Sequence, residues 1–425
     1  MTDNSLSAST FASLLTPLLP SPVPPLAVAV SGGVDSMALS LLAADWAKAQ
    51  GTSLLALTVD HGLRPDSAEE AECVSGWMAA RGIRHRILRW HPETLPKSNR
   101  QAAAREARYR LLAAACKEEN IRHLLVAHHL DDQAETFLLR LQRGSGVDGL
   151  AAMQTVSEKR GLMLLRPLLD TPKQALVDYL TTEKQKWVED PSNQDTRHNR
   201  VRMRQILPQL AETGITPEGL AATAQRMRRA RNYLEQQTAK AAEDCLTLHH
   251  EGYITLHFAQ FKELHEEIAL RLLADILRWM NHDAYRPRLS ELESLLAALP
   301  DARTLGGCRF APAKGDTLCI FREMAHIAPP VALRPQETII WDGRFAITLH
   351  SDFPVMVSAF NAPLPEAEIP FPRRILPTLP CLRGVDNMPF LPHIHQQGEK
   401  SARQNPMGIR CEIRVFPLRN TLGCG

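Results

Sequence analysis

The stretch Leu26-Ala27-Val28-Ala29-Val30-Ser31-Gly32-Gly33-Val34-Asp35-Ser36-Met37-Ala38-Leu39 constrains this chain more than any other. Residues 26–30 are wholly apolar, rich in Val and preceded by Pro25, the signature of a buried parallel strand. Ser31-Gly32-Gly33 breaks the run, and Asp35-Ser36 opens a second apolar run long enough for a helix. A strand, a tight glycine turn and a helix N-terminus together make an anion cradle. The first helical amides have no partner within the helix, and the helix dipole adds about half a positive charge there. Gly32 and Gly33 lack Cβ atoms, so a phosphate can approach the backbone. Two glycines after a strand alone would make only a turn with Asp35 as its cap. The full hexamer Ser-Gly-Gly-Val-Asp-Ser is far more specific. It has neither the Gly-Lys-Ser/Thr of a Walker loop nor the third glycine of a dinucleotide fingerprint.

Composition sets the outer bounds. A chain of 425 residues suggests two or three domains. Hydrophobic residues at 44% and charged residues at 23% place it among globular proteins. A net charge of +2 supports no global argument for nucleic acid, so any such argument must be local. No apolar run approaches membrane-spanning length, and prolines interrupt the apolar patch at residues 14–20, so neither a membrane span nor a secretory leader is expected. Eight scattered cysteines without a Cys-x-x-Cys pair read as reduced thiols of a cytoplasmic protein.

Taken in order, the chain alternates strand and helix. A short helix is expected at 9–15. Strands are expected at 26–30, 54–59, 85–90, 121–127 and 162–165, and helices at 36–50, 66–80, 100–119, 133–141 and from 171 to about 186. This alternation predicts an α/β fold with a doubly wound parallel sheet. Ligands in such sheets lie beyond the carboxyl ends of the strands. Three strands end in polar clusters, at 31–36, 60–64 and 128–132, and these should converge. A long helix over 216–245, a strand at 253–258 and an amphipathic helix at 266–279 suggest a mainly helical second domain. Frequent prolines and short β-like runs after Ala328 suggest a small β-containing C-terminal domain, with the last 25 residues irregular. The boundaries expected are 1–212, 213–328 and 329–425.

The cluster His128-His129-Leu130-Asp131-Asp132-Gln133-Ala134-Glu135 places charge at the end of a strand and the start of a helix. A helix beginning near Asp132 puts Asp132 and Glu135 on one face, where they could share Mg²⁺ or merely cap the helix. His128 just before them could donate to a phosphate oxygen. Zinc binding by the two histidines is disfavoured because neighbours on a strand end face opposite ways. Gln101, Arg105 and Arg108 form one polar stripe on the 100–119 helix. Eight arginines against two glutamates between residues 197 and 231 fit contact with a polyanion, or pairing with acids of the first domain.

The set resembles the tRNA(Ile)-lysidine synthase family of the PP-loop ATP-pyrophosphatases. The motifs that carry this are residues 31–36, Asp60-His61-Gly62-Leu63-Arg64, Gln101–Tyr109 and Ala127–Thr136, with Arg143-Gly144-Ser145-Gly146, Arg166-Pro167-Leu168 and Glu189-Asp190-Pro191-Ser192-Asn193. The likeness is dense over about 26–208, loose through the second domain and weak after about 330. His198 stands before Asn199 where the family usually shows arginine. The resemblance implies a ligase that uses ATP to adenylate the C2 oxygen of the wobble cytidine of tRNA(Ile) with a CAU anticodon, releasing pyrophosphate. Free lysine then attacks through its ε-amine, and AMP leaves. It implies that Ser31, Gly32, Gly33, Val34, Asp35 and Ser36 hold ATP phosphates and that Asp60 and His61 lie near the adenosine. Asp35, Asp132 and Glu135 would hold Mg²⁺ and orient lysine, and His128 and Arg105 would stabilise charge at the α-phosphate. The basic stretch and later domains would hold the tRNA, and a homodimer is allowed.

Three other readings stay open on the residues. A tRNA thiolase of the same superfamily would be expected to carry Cys-x-x-Cys pairs, which are absent. A small-molecule adenylating enzyme leaves the arginine stretch unexplained. A non-catalytic tRNA-binding protein leaves the intact loop and acidic cluster unexplained.

Overall fold

The computed structural model describes residues 6–62, 66–90, 100–189, 199–282, 287–362, 369–395 and 409–417. The chain divides into two compact units, Met1–Arg231 and Asn232–Gly425. Residues 63–65, 91–99 and 190–198 lie outside the described residues, and with them Leu63, Arg64, Asp190 to Asn193, Arg197 and His198 of the motifs above.

The first unit opens with α1 (Ala8–Leu15), capped by the Ser7 hydroxyl, which accepts from the Thr10 amide. Then follow β1 (Leu26–Ala29), α2 (Val34–Gln50), β2 (Leu54–Asp60), α3 (Ser67–Ala80), β3 (Arg84–Arg89), α4 (Arg100–Glu118), β4 (His123–Leu125) and α5 (Leu130–Leu141). The short α6 (Val147–Leu150), β5 (Val156–Lys159), β6 (Leu162–Leu165), α7 (Lys173–Thr182) and α8 (Asn199–Glu212) come next, and α9 (Pro217–Cys245) begins in this unit. The sheet order is β3-β2-β1-β4-β6-β5, with β5 alone antiparallel. Sequence alternation did not single out β5. It is a four-residue edge strand joined to β6 through Arg160 and Gly161, both at positive φ.

β1 is buried at every position because helices cover both faces of the sheet. Ala27 and Ala29 face one apolar cluster with Leu57, Leu112 and Leu124, while Leu26 and Val28 face the other with Met37, Leu41 and Leu165. The chain runs outward from β1 to β3, then returns to place β4 on β1's other side. The crevice between the carboxyl ends of β1 and β4 is therefore the topological switch point. Further out, Ala134 and Phe137 of α5 pack with Leu207 of α8 and Leu220 and Ala224 of α9.

The second unit contains two apolar clusters. Around the first, the short α10 (Phe258–Phe261), α11 (Glu266–Asn281) and α12 (Leu289–Ala298) pack with a five-stranded antiparallel sheet of β7 (Leu246–Leu248), β8 (Ile254–His257), β9 (Arg303–Leu305), β10 (Cys308–Ala313) and β11 (Thr317–Arg322). The sequence had indicated only β8 of these strands. Around the second lie a four-stranded and a three-stranded sheet. Arg344 is fully buried there, bonded to Asp342 at 2.6 Å and to the carbonyls of Gly252 and Thr378 at 2.9 Å each. The expectation that the last 25 residues are irregular is corrected at one place. Cys411–Val415 forms a strand against Phe345–Leu349, pairing Cys411 with Leu349, Ile413 with Ile347 and Val415 with Phe345. Its period-two apolar pattern is the reason. Among the described residues, no helix is long and apolar enough to cross a membrane.

Candidate active site

The loop after β1 is built as an anion cradle. Gly33 caps α2 in an extended conformation and, as glycine, brings no side chain to cap the first-turn amides. Gly32 has φ +87° and accepts the Val188 amide at its carbonyl, 2.9 Å away. A Cβ at Gly32 would stand 2.8 Å from Val74 Cγ2 and 3.3 Å from Val188 Cγ2. The position therefore requires glycine on two counts. Ser36 holds the loop closed: its hydroxyl accepts the Ser31 amide at 3.1 Å, donates to the Gly33 carbonyl at 3.0 Å and lies 3.1 Å from Ser31 Oγ.

Beside this loop opens a cavity of about 410 Å³, lined among others by Ser31, Asp35, Asp60, His61, Arg105 and Arg108. Asp60 is spent on the turn after β2, where one oxygen accepts the Gly62 amide at 3.0 Å and the Ser67 hydroxyl at 2.8 Å. It shapes the wall rather than offering that oxygen to a ligand. Arg105 lies over the Tyr109 ring, 5.5 Å from its centroid, on the exposed side of α4.

The carboxyl end of β4 supplies the other half. α5 begins at Leu130 with His129 as its N-cap, two residues earlier than an Asp132 start. Asp132 is thereby the third helical residue, and its carboxylate accepts the His129 amide at 3.1 Å, half of a capping box. This fixes Asp132 beside the imidazole of His129. His129 Nε2 is 3.5 Å from Asp132 Oδ2 and 3.5 Å from Asp35 Oδ2, and Nδ1 is 3.4 Å from Asp131 Oδ2. His129 is 1% exposed. Burial opposes its charge, but the carboxylates of Asp131, Asp35 and Asp132 outweigh burial and raise its pKa to about 10. Asp131 in turn accepts the Lys173 amide at 3.0 Å, tying the cluster to α7.

Sequence reasoning gave the chemical role to His128 and passed over His129. His128 behaves differently: burial, then the charges of Arg166, Arg200, Arg108 and Arg105, push its pKa down to about 3. It is a neutral imidazole amid positive charge. The signal for His129 was hidden by the expected helix start near Asp132. With the helix starting at Leu130, Asp132 stands at the third position and points back three residues to its cap.

Of the three acids, Asp35 and Asp132 come together around His129. Glu135 turns elsewhere: it is 1% exposed, and its Oε1 accepts from Arg204 Nε of α8 at 2.6 Å. Burial raises the Glu135 pKa against the lowering effect of Arg204. At Arg204, then, the arginine stretch pairs with an acid of the first unit. Among the described residues, no three acidic, histidine or cysteine side chains form a ready-made metal cage. Magnesium asks for less, one or two carboxylates with phosphates and water completing its shell. Asp35 Oδ1 is buried without a hydrogen-bond partner in the structure, which fits such a cation.

A family model described as a PP-loop domain matches residues 6–210. The chain is 42% identical over 331 residues to the tRNA(Ile)-lysidine synthase of Wolbachia pipientis wMel, covering 76% of each chain. It is 44% identical over 292 residues to that of Bradyrhizobium diazoefficiens, covering 67% of this chain and 80% of the relative. It is 41% identical over 324 residues to that of Ruegeria pomeroyi, again covering 76% of each.

Proposed function

The chain belongs to the tRNA(Ile)-lysidine synthase family, ATP-using ligases that modify tRNA, and from that premise we propose the reaction its own residues perform. ATP adenylates the C2 oxygen of the wobble cytidine of a tRNA(Ile) with a CAU anticodon, and pyrophosphate leaves. The ε-amine of lysine displaces AMP, forming lysidine. The observation that carries this reading is the meeting of Asp35 and Asp132, from two different strand ends, on the buried imidazole of His129.

The amides of Gly33 to Ser36 and the Ser31 hydroxyl would receive the β and γ phosphates. Residues near Asp60 and His61 would enclose the adenosine. Arg105 would face the α-phosphate with its permanent charge. His128, held neutral, would serve as a hydrogen-bond donor and not as a cation. Asp35 and Asp132 would hold Mg²⁺, whose bound charge would neutralise the pyrophosphate leaving group. In the second half-reaction the same carboxylates would orient the lysine ammonium and receive its proton. Glu135 would act through Arg204, setting the field around Asp35 and Asp132. Much of the acceleration would come from positioning, an effective molarity of roughly 10⁵ M or more.

The test is incorporation of radiolabelled lysine with ATP and Mg²⁺ into tRNA(Ile) transcripts carrying CAU or UAU. ATP-dependent labelling of the CAU transcript alone is expected. AMP release without lysine incorporation would move the nucleophile elsewhere, and neither product would overturn the reading.

A further inference from the structure

A second basic concavity lies at the amino ends of β4 and β6, away from the strand carboxyl ends that carry the nucleotide cavity. It measures about 470 Å³ and is lined by Arg110 and Lys117 of α4, Asn120 and Arg122 before β4, and Arg160 and Gly161 of the β5–β6 turn. Ala113, Ala114, Ile121 and Leu162 complete its wall. Among the described residues, no acidic side chain lines it. The acids nearest in sequence are already paired, Glu106 with Arg160 of the groove itself and the others away from it. Glu118 pairs with Arg86 at 2.7 Å, Glu119 with Arg84 at 2.8 Å, and Glu106 with Arg160 and Lys159. Arg110, Lys117 and Arg122 are exposed, and none has an ion-pair partner among the described residues. Three like charges held together without a counter-charge mark a site for a polyanion, not for stability.

We infer that this groove binds the phosphate backbone of the RNA substrate at a distance from the reacting base. The inference rests on the proposed function, since the RNA is the one that places its wobble base in the crevice. Helix α4 joins the two places. Arg105 and Arg108 near its N-terminal end line the nucleotide cavity, and Arg110 and Lys117 line the groove. From Arg105 to Lys117 the helix advances about 18 Å at about 1.5 Å per residue. One RNA strand carries several phosphates over such a span. Backbone contact of this kind positions the nucleic acid without reading its sequence. The groove therefore contributes affinity and register, and the choice of base stays with the crevice.

The experiment compares the full-length wild type with Arg110→Glu/Lys117→Glu/Arg122→Glu, measuring tRNA binding across a salt series and lysine incorporation at varied tRNA. The triple variant should bind tRNA at least tenfold more weakly near 0.1 M salt, with the slope of log affinity against log salt reduced by about 2. KM for tRNA should rise while kcat at saturation and affinity for an ATP analogue stay unchanged. Lys117→Ala and Arg122→Ala, single exposed changes that the fold tolerates, should each show the same KM effect on a smaller scale. Unchanged KM and salt slope in all three variants would overturn the groove. A wild type that incorporates no lysine would instead overturn the reading of the site.

Discussion

His129 Nε2 stands 3.5 Å from Oδ2 of Asp35, joining the loop after β1 to the loop after β4 through one buried ring. The same nitrogen is 3.5 Å from Asp132, but the two aspartates are held differently. Asp132 also caps α5 through the His129 amide. Asp35, about one-third exposed, has no such duty. The two amide variants should therefore separate. Asp35→Asn should lower lysine incorporation by at least about a hundredfold with little change in melting temperature. Asp132→Asn should lose activity and also about 1 kcal/mol of stability through the weakened cap. Near-normal turnover by Asp35→Asn would sink its assignment.

Gly32 has no freedom to become alanine. Its φ of +87° disfavours any side chain, and the new Cβ would meet Val74 Cγ2 at 2.8 Å. Gly32→Ala should cost about 1–3 kcal/mol and abolish measurable ATP binding. Adding Val74→Ala removes the clash but not the backbone strain. The double variant should recover part of the melting temperature while ATP binding stays weak. Full recovery of both would mean that only the contact with Val74 required glycine.

The parallel sheet was legible because burial on both faces writes β1 as an unbroken apolar run and β2 as one interrupted only by Thr58 before its polar end, and three strand ends are marked by polar clusters. His129 was passed over because the helix was expected to start near Asp132, and the strand alternation set against a zinc pair has no strand to rest on there. β4 ends at Leu125, and the direction of His129 is set by its place as a helix cap. Glu135 with Arg204 was hidden for another reason. The partners are 69 residues apart, and only the packing of α5 on α8 brings them together. The five-stranded sheet of the second unit escaped notice because β7 and β9 are three residues long, too short for a period to register. Cys411–Val415 does alternate, but the irregular composition around it masked so short a run.

The Arg204–Glu135 pair can be dissected by a double-mutant cycle. Arg204→Ala leaves a carboxylate in a site where Glu135 is 1% exposed, and should cost about 2–3 kcal/mol after allowance for the partial exposure of Arg204. Glu135→Gln should be milder, because the amide is neutral. Combining the two should restore much of the stability lost in Arg204→Ala. Activity should not return, since the proposed role of the pair is the field around Asp35 and Asp132. Recovery of turnover with stability would reduce the pair to a structural brace.

His393 of the second unit supplies a pH-dependent term in stability. Burial, with the charges of Arg344 and His250, lowers its pKa from 6.5 to about 4, although its bond to the His250 carbonyl at 3.0 Å pulls the other way. The ring also meets the edge of Phe345 at 5.6 Å. A histidine with a depressed folded pKa binds fewer protons folded than unfolded between those two values. Its contribution is therefore fully present above about pH 6.5 and is lost as pH falls toward 4, by up to about 3 kcal/mol. Other buried histidines add to acid loss across the chain, so the informative quantity is the difference between wild type and His393→Gln. Melting temperatures at pH 7.5 and 4.5 should fall less for the variant than for the wild type. An equal fall would show that His393 takes up its proton in the folded state as readily as in the unfolded one.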